Sequence, residues 1–252
     1  MTTLLFLDRI WTWDLIAVAI ASAAVTVFAL SRPTLPRVVA FGAAVVAFML
    51  ALSSPIATLA DGYLFSAHML QHLLLVLVVP PLVLLALPAR TGARPRRLRA
   101  LAAWGLGVGA MWLWHAPALC NAAATNGLVH RVQEASLLAM GVGFWWPVLA
   151  RDPARRLSPL SSVIYLFTAC IACTILGIAV ALSPVQVCSV YVHPVDPLGI
   201  LPVLRGDLGL TVERDQQLGG LLMWVPACVV YLVAILASLR RFYREAPAAE
   251  VT

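Results

Sequence analysis

Polar and apolar residues along this chain neither alternate nor recur in the three-and-four spacing of a surface helix. Apolar residues instead run on for stretches of bilayer length, broken by short clusters of proline, glycine, arginine and other polar residues. A membrane-crossing helix needs about 17–25 mostly apolar residues. Seven stretches qualify, at about 14–30, 38–54, 63–87, 98–119, 128–150, 161–183 and 218–239. Strands of an outer-membrane barrel would show as short alternating segments. The pattern therefore predicts an all-α polytopic membrane protein, with one seven-helix transmembrane domain over residues 1–245 and a tail over 246–252. The longest segment between spans, 184–217, holds Pro184, Pro194, Pro197 and Pro202 with Gly199, Gly206 and Gly209. It predicts an irregular outer loop lying over the mouth of the bundle.

Composition removes the alternatives. Of 252 residues, 62% are hydrophobic and 11% charged, against about 25% charged in an average soluble domain. That excludes a soluble globular domain and a disordered chain. A single-anchor peripheral protein is excluded because the apolar stretches cover nearly the whole length. The net charge is +6 and all 17 basic residues are arginine. Thirteen fall on one side of the seven spans: Arg32 and Arg37; Arg90, Arg94, Arg96, Arg97 and Arg99; Arg151, Arg155 and Arg156; and Arg240, Arg241 and Arg244. Arg9, Arg131, Arg205 and Arg214 fall on the other, with most of the acidic residues. The positive-inside rule then puts the N-terminus outside and the C-terminus in the cytoplasm. The excess reflects topology and not a nucleic-acid partner. Ala21-Ser22-Ala23 resembles a signal cleavage site, but Asp14 before the run and Arg32 and Arg37 after it predict a retained span.

Ionisable residues inside a span are costly and mark functional sites. The third span contains His68-Met69-Leu70-Gln71-His72, with two imidazoles one helical turn apart on one face, a common way to offer a small metal ion two nitrogens. The fourth carries Met111 and His115 at the same spacing near its outer end, and the fifth begins with His130 and Glu134. The seventh is entered by Asp215-Gln216-Gln217, followed by Gly219, Gly220, Met223 and Trp224. All these residues fall at the outer ends, whereas the inner halves are almost purely apolar. Bland readings stand beside this one. His115 or His130 alone fits a packing residue bonded to a carbonyl. The tryptophans at 11, 13, 112, 114, 145, 146 and 224 read mostly as interfacial belts, and Gly219 and Gly220 as close-packing positions. Glu134 suits a ligand, a histidine-orienting acceptor or a proton acceptor. Cys170, Cys173 and Cys228 read as packing residues. Cys120 and Cys188, in outer loops, suit either a disulfide or soft ligands.

Histidine with methionine suits copper, Cu(I) in particular, and Met69, Met111 and Met223 all lie at the histidine level. Zinc would fit His and Glu134, but no His-Glu-x-x-His helix is present, and neither is a Walker A, Gly-x-Ser-x-Gly or dinucleotide motif. Haem is the rival cofactor, through His72 with His115 or His130 on facing helices.

The blocks His68-Met69-Leu70-Gln71-His72-Leu73-Leu74 with Pro80-Pro81 and Leu87-Pro88, Trp114-His115-Ala116-Pro117, His130 before Phe144-Trp145-Trp146-Pro147, and Asp215-Gln216-Gln217-Leu218-Gly219-Gly220 before Met223-Trp224 together resemble the CtaG-like family of bacterial cytochrome c oxidase assembly factors. They keep that family's order across about residues 60–235. The resemblance implies a multi-pass protein of the bacterial cytoplasmic membrane that matures a haem–copper oxidase, with copper delivery as the proposed task. It points to His68, His72, His115, His130, Asp215, Gln216 and Met223. One departure is Glu134, where many members carry a further histidine.

The resulting expectation is a copper metallochaperone and not an enzyme. His68, His72, His115 and His130, with Met69, Met111 and Met223, are the candidate ligands, and Glu134, Asp215 and Gln216 orient them. The expected partners are an oxidase subunit, a soluble extracytoplasmic copper donor and the lipid bilayer. A haem-binding quinol or electron-transfer protein and a copper transporter are the alternatives. The apolar inner halves count against a full conduit.

Overall fold

The computed structural model describes residues 10–88, 97–152 and 155–245. Arg9, Arg90, Arg94, Arg96 and the tail over 246–252 lie outside them, as do the side chains of Arg97 and Leu98. The described residues are helical, with no strand among them. In order they form α1 (Leu15–Leu30), α2 (Leu35–Leu52), α3 (Pro55–Ala60), α4 (Phe65–Leu73), a π-helical turn (Leu74–Val78), α5 (Val79–Ala86), α6 (Arg97–Trp114), α7 (Pro117–Thr125), α8 (Gly127–Leu149), α9 (Pro159–Ala181) and α10 (Val212–Glu245). Among the described residues, four helical stretches are long and apolar enough to cross a membrane: Leu35–Ala60, Phe65–Ala86, Pro159–Ala181 and Val212–Glu245. Outward-facing Ile164, Phe167, Val225 and Leu232 are more than half exposed, as a lipid-facing surface requires.

Several boundaries differ from the sequence expectation. The stretch 98–119 breaks after Trp114, because Pro117 forces Ala116 into an extended conformation. The last helix begins at Val212, so Asp215-Gln216-Gln217 belongs to its first turn and not to the 184–217 loop. Trp145 and Trp114 are not belt residues. Trp145 is buried in the core, and Trp114 is buried and donates from Nε1 to Ser136 Oγ at 2.8 Å.

The third stretch shows how sequence sets this packing. Pro80 and Pro81 have no N–H, so the Val76 carbonyl has neither an α-helical nor a π-helical donor. Trp145 on α8 supplies one, its Nε1 donating to Val76 O at 3.1 Å. Gly141, one turn earlier on α8, lets the two helices close: a Cβ there would sit 2.7 Å from Pro80 Cγ and 3.0 Å from Val76 O. Trp145→Phe is expected to destabilise by about 1–2 kcal/mol. Pro80→Ala, which restores a backbone donor, should remove most of that loss in a double-mutant cycle read by thermal unfolding.

Helices α9 and α10 run antiparallel and touch through glycine. A Cβ on Gly220 would lie 2.6 Å from Gly177 O and 2.6 Å from Ala181 N. Arginines gather at the other end of the bundle. Arg37 Nε donates to Ala86 O at 2.6 Å, and Arg151 donates to Leu85 O. These are last-turn carbonyls of α5, a favourable place for cations.

Candidate functional site

The helix that carries His68 and His72 starts without a cap of its own: Leu64 at its N-cap has no side-chain acceptor. Asp215 of α10 supplies the cap. Its carboxylate accepts from Phe65 N at 2.9 Å, Ser66 N at 3.0 Å and Ser66 Oγ at 2.6 Å, and Arg205 lies 3.6 Å away. Asp215 is 1% exposed. It therefore holds the start of the helix that carries the histidines. Gln216, next to it, accepts from Val187 N at 2.8 Å and donates to Ser183 O and Val185 O, both at 3.2 Å. It ties down the segment between α9 and α10.

Four imidazoles stand in a row. His115 packs edge-on against His72 with centroids 5.5 Å apart, His72 lies 4.2 Å from His68, and His68 lies 6.0 Å from His130. His68, His72 and His115 are buried. Neither ring nitrogen of His68 or of His72 makes a hydrogen bond of ordinary geometry, although Gln133 lies beside His72. Bare buried polar atoms are rare and costly.

At one end of the row, His115 Nδ1 lies 2.5 Å from Met111 O. A carbonyl only accepts, so Nδ1 carries the proton and Nε2 of the neutral ring presents a lone pair. That lone pair meets Met69 Sδ at 3.0 Å. Two electron-pair donors thus face each other with no proton between them, an arrangement that a soft cation would stabilise. At the other end, His130 Nε2 lies 3.1 Å from Glu134 Oε1, which also accepts from Gln71 Nε2 at 3.1 Å. Glu134 Oε2 pairs with Arg131 at 3.0 Å, and Arg131 with Asp14 at 2.5 Å. Glu134 is fully engaged as an acceptor.

Two spaces adjoin the row. A small chamber of about 20 Å³ is lined by Met69, Met111, Met223, His72, Cys173 and Tyr231 among others. An open cleft of about 630 Å³ reaches His130 and Gln71 from the surface past Asp14, Asp61, Arg131 and Glu134. Among the described residues no group of three or more His, Cys, Asp and Glu side chains is arranged to hold a metal ion. The donors that converge are mixed nitrogen and thioether.

The structure thus brings together His68, His72, His115, His130, Met69, Met111, Met223 and Glu134. Asp215 and Gln216 serve the helix and the loop. Sequence reasoning missed Gln71, Gln133 and Tyr191, whereas Cys173, read as a packing residue, does pack in the core. The two glutamines are uncharged amides inside spans, a signal of the same kind as the histidines. Tyr191 lies 6.0 Å from His68 and donates to Ala60 O at 2.8 Å. Burial pushes its phenol above the ordinary tyrosine range, so it remains a donor. Cys120 and Cys188 form a disulfide with Cα atoms 5.8 Å apart, which settles their sequence alternatives in favour of pairing. The disulfide packs with Met69, Met223, Phe65 and Tyr191. It pins α7 to the segment between α9 and α10 beside Asn121, which accepts from Ser189 Oγ and Val190 N. Reduction should leave the helices intact but speed proteolysis of the 184–211 segment several-fold, measured by limited digestion with and without reductant.

The family model of the cytochrome c oxidase caa3 assembly factor matches residues 22–245. A Mycobacterium leprae (strain TN) protein described as uncharacterized protein ML1998 is 24% identical over 241 residues, which is 83% of this chain and 34% of that protein. The chain spans about a third of the length of that curated relative. No solved structure matches.

Proposed function

The chain belongs to the cytochrome c oxidase caa3 assembly factor family, and on that premise we propose that it binds Cu(I) and passes it to an oxidase subunit. The observation that carries this reading is the contact of His115 Nε2 with Met69 Sδ at 3.0 Å, two lone pairs with no proton between them, beside the rings of His68 and His72, whose nitrogens make no hydrogen bond of ordinary geometry. Copper is cargo here. Exchange among imidazole and thioether ligands moves it without any bond-breaking catalysis. The open cleft gives entry, and Asp14, Asp61 and Glu134 outnumber Arg131 there, which leaves the cleft favourable to a cation. The chamber with three methionines and Cys173 offers soft donors further in.

In this reading the chain crosses the bacterial cytoplasmic membrane seven times, with the N-terminus and the histidine row outside and the C-terminus in the cytoplasm. The gathering of Arg37, Arg151 and Arg241 at one end supports that orientation. A soluble extracytoplasmic donor loads the site and the oxidase unloads it. The haem alternative is disfavoured by the packing, because Met69 and Met111 line the small space beside His72. A porphyrin would have to displace Met69 and Met111.

Transfer is tested by mixing Cu(I)-loaded protein in detergent with a copper-free oxidase subunit, separating the two and measuring copper in each. Copper is expected to move to the subunit from wild-type protein. Retention of all copper by the loaded protein would contradict delivery.

A further inference from the structure

At the arginine-rich end, far from the histidines, a cleft of about 540 Å³ opens between α5, α8 and α10. Its lining residues are of two kinds. Leu85, Val148, Leu149, Ala234 and Ala237 give it an apolar lining, and Leu85 is 41% exposed. Arg151, Arg156 and Arg241 line it as well.

The arginines are poorly neutralised. Glu245 lies 3.9 Å from Arg156 and 3.6 Å from Arg241, itself more than half exposed. Asp152 is committed to Arg155 at 3.7 Å. Arg156 and Arg241 repel each other across the cleft. Arg241 spends one nitrogen on Leu157 O at 2.7 Å, while its buried Nε makes no hydrogen bond. Among the described residues, three guanidinium groups thus line the cleft with one exposed carboxylate near two of them, leaving two positive charges in excess beside the apolar lining.

We propose that this cleft binds an anionic phospholipid, its phosphates held by Arg151, Arg156 and Arg241 and its acyl chains lying along Leu85, Val148, Leu149, Ala234 and Ala237. Guanidinium forks match phosphate oxygens in pairs, and basic pockets between membrane helices are suited to anionic headgroups. The apolar lining separates this from a site for free phosphate, which has no use for it. The excess of two charges favours a headgroup with two phosphates, as in diphosphatidylglycerol. Such a lipid would bridge α8 and α10 next to the carbonyl end of α5.

The test is thermal unfolding of the purified full chain in neutral detergent with added lipid. Saturating diphosphatidylglycerol is expected to raise the Tm by roughly 5 °C, phosphatidylglycerol by less, and phosphatidylcholine or inorganic phosphate not at all. Arg156→Gln/Arg241→Gln should abolish the difference between anionic and neutral lipid. Arg156→Gln alone keeps the Arg241–Leu157 contact and serves if the double variant fails to fold; it should at least halve the shift. An equal shift with phosphatidylcholine, or an unchanged shift in both variants, overturns the site. A full shift with inorganic phosphate overturns its assignment to lipid. A shift with phosphatidylglycerol as large as with diphosphatidylglycerol overturns the two-phosphate preference.

Discussion

Replacing His68 and His72 together by alanine is expected to weaken Cu(I) binding by roughly 100-fold or more, since loss of even an orienting partner of a metal ligand costs 10–100-fold. The two rings form the middle of the row, 4.2 Å apart, with Gln133 beside His72. Since no ring nitrogen of either makes a hydrogen bond of ordinary geometry, the effect on folding should be chiefly that of a cavity in the core. Competition with a Cu(I) chelator measures the affinity, and the thermal midpoint of the same samples separates ligand loss from unfolding. Equal copper retention by wild type and double variant would remove these two residues from the ligand set.

Asp215→Ala is expected to cost about 3 kcal/mol, a fall in Tm of roughly 6–12 °C. The side chain is the N-terminal cap that the Phe65–Leu73 helix lacks, and it faces Arg205 at 3.6 Å. Removing it strands two backbone donors, the Ser66 hydroxyl and a partly buried guanidinium. Asp215→Asn keeps an acceptor and should lose about half as much. Because the capped helix begins three residues before His68, copper affinity should fall in parallel with stability. Both are read on the same samples by calorimetry and chelator competition. A loss of affinity at unchanged stability would instead make Asp215 a direct ligand.

Much of the site was legible because membrane burial makes polar residues conspicuous. His68 and His72 at one helical turn, with His115, His130 and Met111 at the same level, needed only helical spacing and the charge-derived orientation to be grouped. The geometry within the group was not legible. Nothing local says that Met69, which precedes Leu70 in the motif, turns its sulfur to His115 on another helix, or that Glu134 is held by Gln71 and Arg131. Asp215 looked like a histidine partner because it lies at the right depth. Its role as a cap for another helix depends on a contact 150 residues away in sequence. Trp145 was read as interfacial because tryptophan usually is, but the carbonyl freed by Pro80 and Pro81 draws it into the core. The start of the last helix is hidden in the sequence because its first two turns are polar from Glu213 to Gln217, although Thr211 Oγ1 accepts from Arg214 N at 3.3 Å in the manner of an N-cap. Gly219 and Gly220 were legible as close-packing positions, and a Cβ on Gly219 would sit 2.5 Å from Phe65 Cδ1.

Copper K-edge absorption of the wild-type protein, loaded with Cu(I) and then equilibrated with a competing chelator, tests the central claim most directly. The account predicts retained monovalent copper with both imidazole nitrogen and thioether sulfur in its coordination shell. No copper retained, or a shell without sulfur, would contradict it.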